Sequence, residues 1–139
     1  MKILGLDYGT KRIGVALSDG LLITAQGMDS IYRNDLASDL NAIKKIIDDN
    51  GVVELVVGLP LNMDGTHSAK TKEAVQFMDS LAKTVAIPVK PWDERLTTVQ
   101  AEHALLEADI SRAKRRHLTD KLAAQMILQS YLDSRKKGQ

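Results

Sequence analysis

The sequence predicts an α/β protein with a mixed five-stranded sheet covered by helices. The chain opens with three β-prone segments separated by turns. It then alternates apolar strands with amphipathic helices and ends in further helix. An opening meander followed by this alternation is typical of a mixed sheet whose crossover helices cover its faces. At 139 residues the chain is expected to form one domain, spanning residues 1–139.

The first three strands are predicted within the N-terminal thirty residues. Residues 2–6 are nearly all apolar and residues 12–17 are β-prone, and the turn sequence YGTK lies between them. This pattern predicts a β-hairpin. A third strand is predicted over residues 21–30, with Gly27 as a candidate bulge.

Helices and strands alternate through the rest of the chain. Asn34 is predicted to cap a helix that Gly51 ends, and residues 52–60 form a continuous apolar run typical of a buried strand. A second helix is predicted over residues 68–83, with Val75, Met78, Leu81 and Ala82 on its buried face. The prolines of VAIPVKPW place the fifth strand at a sheet edge. Thr97 and Gln100 form a capping-box pattern for a third helix to about Glu107, and a last helix follows from the basic cluster or His117 to about Arg135.

Composition narrows the classes of protein. Hydrophobic residues make up 44% and charged residues 27% of the chain, which is typical of a globular protein. No apolar run approaches the roughly 20 residues that a membrane helix needs, and the N-terminus lacks the pattern of a secretory signal. We therefore expect a cytoplasmic protein without a membrane partner. The chain has no cysteine, so any metal must bind oxygen or imidazole.

Acidic residues stand at the ends of two predicted strands and on the last helix. Asp7 ends the first strand, and Asp93 and Glu94 end the fifth. Asp120 begins the apolar stripe of the last helix, where a lone carboxylate is costly unless it is paired or bound to metal. Ligands of open α/β sheets bind beyond the carboxyl ends of the strands. These acids are therefore expected to converge there and hold one or two hard divalent cations, Mg²⁺ or Mn²⁺.

Each acid also has a structural explanation. Asp7 could begin an Asx turn before Gly9, and Asp93 and Glu94 could form the polar entry to a capped helix. Asp120 could cap its own helix or pair with a buried arginine, for which Arg12 and Arg95 are the candidates. Taken alone, Asp120 favours that structural explanation. The metal-site hypothesis rests on all the acids meeting at one place.

Eight polar residues, seven of them basic, are candidates for contacting a nucleic acid. The candidates are Lys11, Arg12, Asn62, Arg95 and the cluster of Arg112, Lys114, Arg115 and Arg116. The alternative for the cluster is a solvated helix end. With one Trp, three Tyr and one Phe, the chain is not expected to stack bases on an aromatic platform. Gly9 and Gly14 are expected either to keep the backbone slim beside a substrate or to serve turn geometry and strand packing.

The stretch LDYGT also permits an ATPase interpretation, since it is similar to the phosphate-binding hairpin of the sugar-kinase, Hsp70 and actin ATPases. Those proteins close a second lobe with a second hairpin over the nucleotide. The other candidate here, MDGT, follows Pro60 in a predicted loop, and 139 residues leave no room for a second lobe. The ATPase interpretation is therefore disfavoured.

Four blocks, DYGTKRIGVA, VVGLPLNMDG, DERLTT and DKLAAQMILQSYLD, closely resemble the signature blocks of the YqgF family, also called RuvX, in order across nearly the whole chain. The resemblance implies a ribonuclease H-like fold with strand order 3-2-1-4-5 and the second strand antiparallel to the rest. It also implies a nuclease that uses divalent metal, with Asp7, Glu94 and Asp120 at the expected acidic positions. Bacterial members of the family are implicated in maturing the 5′ end of 16S rRNA.

One feature departs from the related RuvC resolvases, which place a glutamate at the end of the fourth strand. This chain has Gly58, Leu59 and Pro60 there, so that Glu94 would have to substitute. Asp93 is then either a further metal ligand or a support for Arg95. The expected substrate is an rRNA precursor, cleaved by metal-activated water. The alternatives are branched DNA, or a non-catalytic RNA-binding assembly factor, and the expected state is a monomer or weak dimer.

Overall fold

The computed structural model describes the backbone of residues 1–95 and 112–137 and the side chains of residues 1–95 and 120–135. The predicted capping box at Thr97 and Gln100 lies outside these ranges. The elements are strands β1 (Lys2–Asp7), β2 (Arg12–Ser18) and β3 (Ala25–Tyr32), helix α1 (Leu36–Asn50), strand β4 (Val52–Leu59), helix α2 (Ala69–Thr84), strand β5 (Val89–Asp93) and helix α3 (Arg112–Lys137).

The five strands form one sheet in the order β3-β2-β1-β4-β5. Strand β1 pairs antiparallel with β2 and parallel with β4, β5 is parallel to β4, and β3 is antiparallel to β2. Only β2 therefore runs against the others, which confirms the predicted sheet order and direction. Strand β5 lies at the edge, as its prolines predicted.

Both faces of the sheet are buried against helices. On one face, Leu4 and Leu55 of the sheet belong to a core that includes Ile43 of α1 and Leu81 of α2. On the other face, the sheet core includes Ile127, Leu128 and Leu132 of α3. Each fully buried side chain of this kind stabilises the fold by roughly 1.5–3 kcal/mol relative to exposure. The long α3 thus packs where its apolar stripe predicted.

Two local predictions in the N-terminal half are wrong in detail. The β2–β3 register shifts between Ile13 and Val15 and not at Gly27, which pairs regularly with Ala16. A Cβ atom on Gly27 would lie 3.0 Å from the Lys121 carbonyl oxygen, so this glycine serves the close approach of α3. The N-cap of α1 is Asp35, not Asn34, since the Asp35 carboxylate accepts the Ser38 N–H at 2.8 Å.

Helix α2 begins at a capping box formed by Ser68 and Thr71. The Thr71 hydroxyl also donates to the Pro60 carbonyl oxygen at 2.7 Å, which ties the first turn of α2 to the loop after β4. The buried face is Thr71, Ala74, Phe77 and Leu81. Of the predicted face, Leu81 is confirmed, whereas Val75 and Met78 are half-buried and Ala82 is exposed. None of the helices in the described ranges is long and apolar enough to cross a membrane.

Candidate functional site

The carboxyl ends of the parallel strands β1, β4 and β5 meet at one edge of the sheet. Asp7 pairs in register with Gly58, and Leu59 pairs with Asp93. The Glu94 N–H then donates to the Leu59 carbonyl oxygen at 3.3 Å. Asp7 and Glu94 therefore flank the end of β4 from its two neighbouring strands. The parallel register is what brings together residues that are far apart in sequence.

Gly58 provides the space in which the Glu94 side chain lies. A Cβ atom on Gly58 would lie 2.5 Å from Glu94 Oε2 and 2.6 Å from Ile127 Cδ1. The carboxylate of Glu94 thus sits above the end of β4, a position that a side chain on Gly58 would occupy. Glu94, the residue after β5, thus occupies the space above the carboxyl end of β4.

Asp7 and Glu94 form a carboxyl pair joined by a hydrogen bond, with Glu94 as the donor. Glu94 is buried, with 8% of its surface exposed, and Asp7 is half-buried. Burial is the main cause that raises the pKa of Glu94 to about 9, and the charges of Asp7 and Asp93 add to it. Burial also raises the pKa of Asp7 to about 6, with a contribution from the charge of Asp120 and against the hydrogen bond from Glu94. At neutral pH the pair shares one proton, which offsets the repulsion between the two carboxylates. A bound cation could take the place of that proton.

Asp120 lies beside this pair but is bound by an arginine. Arg12 Nε donates to Asp120 Oδ2 at 2.5 Å, across 108 residues of sequence. A Cβ atom on Gly14 would lie 2.6 Å from the Asp120 carbonyl oxygen and 3.3 Å from Asp7 Cβ, so Gly14 permits the close approach of α3 to β1. The structural explanation offered for Asp120, a partner for Arg12, is therefore realised. Gly14 serves packing and does not border open space for a substrate.

Asp93 and Arg95 form a separate ion pair. Asp93 is exposed, and Arg95 Nη2 lies 2.6 Å from Asp93 Oδ2. This contact holds the pKa of Asp93 below its usual range. Arg95 also donates to the Met63 carbonyl oxygen at 3.2 Å. The structure thus shows Asp93 supporting Arg95, and Arg95 supporting the loop after β4.

The other predicted phosphate contacts lie in the β1–β2 turn, in the loop after β4 and at the start of α3. Lys11 is exposed in the β1–β2 turn. Asn62 closes a tight loop, with its N–H donating to the Thr66 carbonyl oxygen and its side chain to Thr66 Oγ1, both at 2.9 Å. The backbone of Arg112, Lys114, Arg115 and Arg116 belongs to the start of α3, whereas their side chains lie outside the described residues.

A groove of about 360 Å³ opens beside the carboxyl pair. The β1–β2 turn forms one wall, and the loop after β4 forms the opposite wall with Pro60, Leu61 and Met63. Lys70 and Glu73 of α2 also line it. Sequence reasoning missed these two residues. The signal was present, because a crossover helix begins near the carboxyl end of the strand before it, and its first turn therefore faces the edge where ligands bind.

A half-buried arginine supports the β1–β2 turn, and the sequence analysis did not identify it. Arg33 Nη1 donates to the Tyr8 hydroxyl at 2.7 Å and to the Gly9 carbonyl oxygen at 3.4 Å. Its Nε donates to Asp39 Oδ2 at 3.1 Å, and Asp39 is only 1% exposed. The guanidinium also lies 5.5 Å from the centre of the Phe77 ring. These contacts hold the wall of the groove next to Asp7.

The donor set fits a hard divalent cation in part. Asp7 and Glu94 present adjacent carboxylate oxygens, which Mg²⁺ and Mn²⁺ prefer. Across the described residues, however, no three acidic or histidine side chains are already arranged to hold an ion together. Asp120 is the nearby third acid, and its carboxylate is engaged by Arg12. The residues therefore fit a cation at the carboxyl pair, with Asp120 available only when Arg12 releases it.

Comparison with solved structures supports the ribonuclease H-like fold expected from the sequence. The chain superimposes on Thermus thermophilus RuvC in complex with a Holliday junction substrate with a TM-score of 0.59, at 16% identity over 98% of this chain and 96% of that one. The fowlpox virus resolvase in its complex with Holliday junction DNA also gives 0.59, at 12% identity over 96% and 98%. At such identities the likeness concerns the fold, which is of the RuvC-like ribonuclease H type.

Sequence relatives cover the whole chain. Proteins named "Putative pre-16S rRNA nuclease" from Halothermothrix orenii and Clostridium botulinum are each 51% identical to this chain over 99% of its length. The matches cover 98% and 100% of those relatives, respectively. One of the same name from Myxococcus xanthus is 49% identical over 96% of this chain and 89% of its own length. The family described as "RuvX: Holliday junction resolvase" matches residues 1–134. The chain therefore belongs to the RuvX family of nucleases.

Proposed function

We propose that this chain is a metal-dependent nuclease that hydrolyses RNA phosphodiester bonds, acting in the cytoplasm on the 5′ end of the 16S rRNA precursor. The single observation that supports it best is the Asp7–Glu94 carboxyl pair at the edge of the sheet, in which Glu94 is buried and which an open groove borders. A protein that merely bound RNA would gain nothing from two carboxylates aimed at phosphate. The names of the relatives support rRNA as the substrate class.

Asp7 and Glu94 are the residues that would hold Mg²⁺ or Mn²⁺, and Asp120 would join them. A divalent cation at such a site activates water and stabilises the charge of the attacking and leaving oxygens. Burial of Glu94 keeps bulk water from competing for the same oxygens. Arg12 neutralises Asp120 without substrate, and its guanidinium suits a phosphate equally well. A substrate phosphate that binds Arg12 would release Asp120, which could then bind the cation.

The direct test is an Asp7→Asn variant assayed on an rRNA precursor with Mg²⁺. We expect cleavage to be abolished while the fold and the melting temperature are kept. A second readout avoids activity altogether: Mg²⁺ should raise the melting temperature of the wild type and leave that of Asp7→Asn unchanged. Undiminished cleavage by Asp7→Asn would refute the assignment of Asp7 to the chemistry.

A second candidate substrate is branched DNA, which the family description "RuvX: Holliday junction resolvase" favours. Symmetric cleavage of a four-way junction normally needs a dimer. A four-way junction and an rRNA precursor should therefore be assayed side by side, with the oligomeric state measured in the same buffer. Preferential cleavage of the junction by a dimer would indicate that the substrate is branched DNA and not RNA. Mg²⁺-independent binding without any product would instead indicate an RNA-binding factor.

A further inference from the structure

We infer that the groove beside the carboxyl pair is a binding site for one unpaired nucleotide of the substrate, and that Lys70 contacts its phosphate. This inference rests on the proposed nuclease function and extends it to a defined subsite. The groove shares Asp7 and Glu94 with the site described above, so that a nucleotide in it would lie next to the scissile bond. Lys70 was not among the residues that the sequence analysis proposed to bind phosphate.

The size and the walls of the groove suit a nucleotide. A volume of about 360 Å³ lies at the lower end of the range for small-ligand pockets. Leu61 and Met63 present apolar surface on one wall and Tyr8 lies on the other. Met63 is 68% exposed, so its side chain is accessible to a ligand in the groove. Apolar walls of this kind pack against a base or a sugar.

The charges in the groove favour a nucleotide over an isolated anion. Asp7 and Glu73 would repel inorganic phosphate, and the cation of Arg95 is bound to Asp93. Lys70 lines the same groove and is exposed, and no ion pair of its side chain is recorded among the described residues. A phosphate next to Lys70 leaves the base or the ribose hydroxyl within the reach of Glu73, which can accept their hydrogen bonds.

The two walls limit the ligand to an unpaired strand. The β1–β2 turn is held by Arg33, and the opposite loop is held by Arg95 and by the Thr71 hydroxyl bond to Pro60. Neither wall can open without breaking these contacts. A base pair would need space for a second base between them, whereas a single splayed nucleotide fits. Sequence-tolerant recognition of single strands works in this way, through backbone charge and packing on the base.

The test compares Lys70→Gln with Lys72→Gln, a matched control on the same helix whose exposed side chain does not line the groove. Binding of a short single-stranded RNA is measured without divalent metal, so that no cleavage is needed. We expect Lys70→Gln to weaken binding about three- to tenfold and to reduce the slope of log K against log salt by about 0.7, the loss of one single-strand phosphate contact. Lys72→Gln should change neither quantity.

The apolar wall is tested with Leu61→Ser, which should weaken binding without changing the salt slope. Adenosine 5′-monophosphate followed by NMR should shift the amide signals of Tyr8, Gly9 and Leu61 in the wild type and much less in Lys70→Gln. Equal binding by the Lys70 and Lys72 variants, or tighter binding of a duplex of the same sequence, would overturn the inference. Either result leaves the nuclease proposal standing if the wild type cleaves RNA, whereas nucleotide binding without cleavage would refute the nuclease and keep the subsite.

Discussion

The Glu94 side chain lies directly above Gly58, with Oε2 only 2.5 Å from the position of a Cβ atom on that glycine. The carboxyl pair can therefore form only because residue 58, at the end of β4, is a glycine without a side chain. Asp7 and Glu94 approach each other across the backbone of β4 because nothing stands between them. A substitution at Gly58 can therefore disrupt the carboxyl pair without changing Asp7 or Glu94.

Gly58→Ala is therefore expected to displace Glu94 and to abolish most activity. A displacement of about 1 Å at a catalytic group can lower kcat about 10²-fold. The same methyl group would collide with Ile127, so the free energy of unfolding should fall by about 1–3 kcal/mol. Gly20→Ala is the control, since nothing lies within 4 Å of its Cβ position. Cleavage rates and chemical denaturation of both variants give the answer; full activity of Gly58→Ala would contradict the assigned geometry.

A double-mutant cycle on Arg12 and Asp120 separates the two roles of the aspartate. If Asp120 takes part in the chemistry, the double variant Arg12→Gln, Asp120→Asn should be as inactive as Asp120→Asn alone. If Asp120 serves only to pair with Arg12, the double variant should recover activity relative to the single one. We expect the first outcome in kcat. The same cycle on the exposed pair Lys121 and Asp29 is the control, and should show no coupling in kcat.

The Arg33–Asp39 pair is expected to be the most sensitive structural element near the site. Asp39→Asn removes the buried carboxylate of the pair and leaves the half-buried guanidinium uncompensated, which costs about 3 kcal/mol of unfolding free energy, the lower end of the range for buried pairs. Because Arg33 also holds Tyr8 and Gly9, the variant should raise KM for RNA in addition. Asp49→Asn, an exposed acid on the same helix, is the matched control. A melting temperature equal to that of the control would show that the pair contributes nothing.

Glu54 provides a pH-dependent contribution far from the site. It is 6% exposed and accepts hydrogen bonds from the Tyr131 hydroxyl at 2.6 Å and Arg135 at 2.9 Å, with Lys90 Nζ at 2.7 Å. Burial alone would raise the pKa of Glu54, but its bonds to Lys90 and Tyr131 hold it below the ordinary value. A lowered folded-state pKa means stability that is present above about pH 4.3 and lost as the pH falls through the folded value.

Glu54→Gln should accordingly be less stable than the wild type at pH 7, by about 1–3 kcal/mol for a buried bond network that loses its charge. The two proteins should converge as the pH falls through the lowered folded-state pKa of Glu54, below which the wild-type carboxylate is also neutral. Urea denaturation at a series of pH values measures this directly. Asp79→Asn, an exposed acid on α2, should follow the wild type throughout. A gap between Glu54→Gln and the wild type that does not narrow in acid would argue against the charge as its cause.

Much of the fold could be read from local pattern. The apolar runs of β1 and β4 and the periodicity of α1 and α3 identify their elements, because burial of alternating or helical stripes is imposed residue by residue. Where elements end is also local: Gly51 adopts the left-handed conformation, with φ of 63°, that ends α1. The cap of α1 and three of the four predicted buried positions of α2 were wrong by one residue, since neighbouring polar or apolar residues compete there and only packing decides between them.

The amino-acid sequence by itself determined that acids stand at the ends of β1 and β5 and that the sheet is mixed, whereas the strand order was implied by the family resemblance. Only the tertiary structure decided the partners of those acids: Glu94 rests over Gly58 beside Asp7, and Arg12 binds Asp120. Lys70 and Arg33 likewise became visible only through the groove they border or support. The physical reason is range. Secondary structure depends on residues a few positions apart, whereas a site is made by side chains that meet only after the sheet has closed, and their distances decide which charge each one faces.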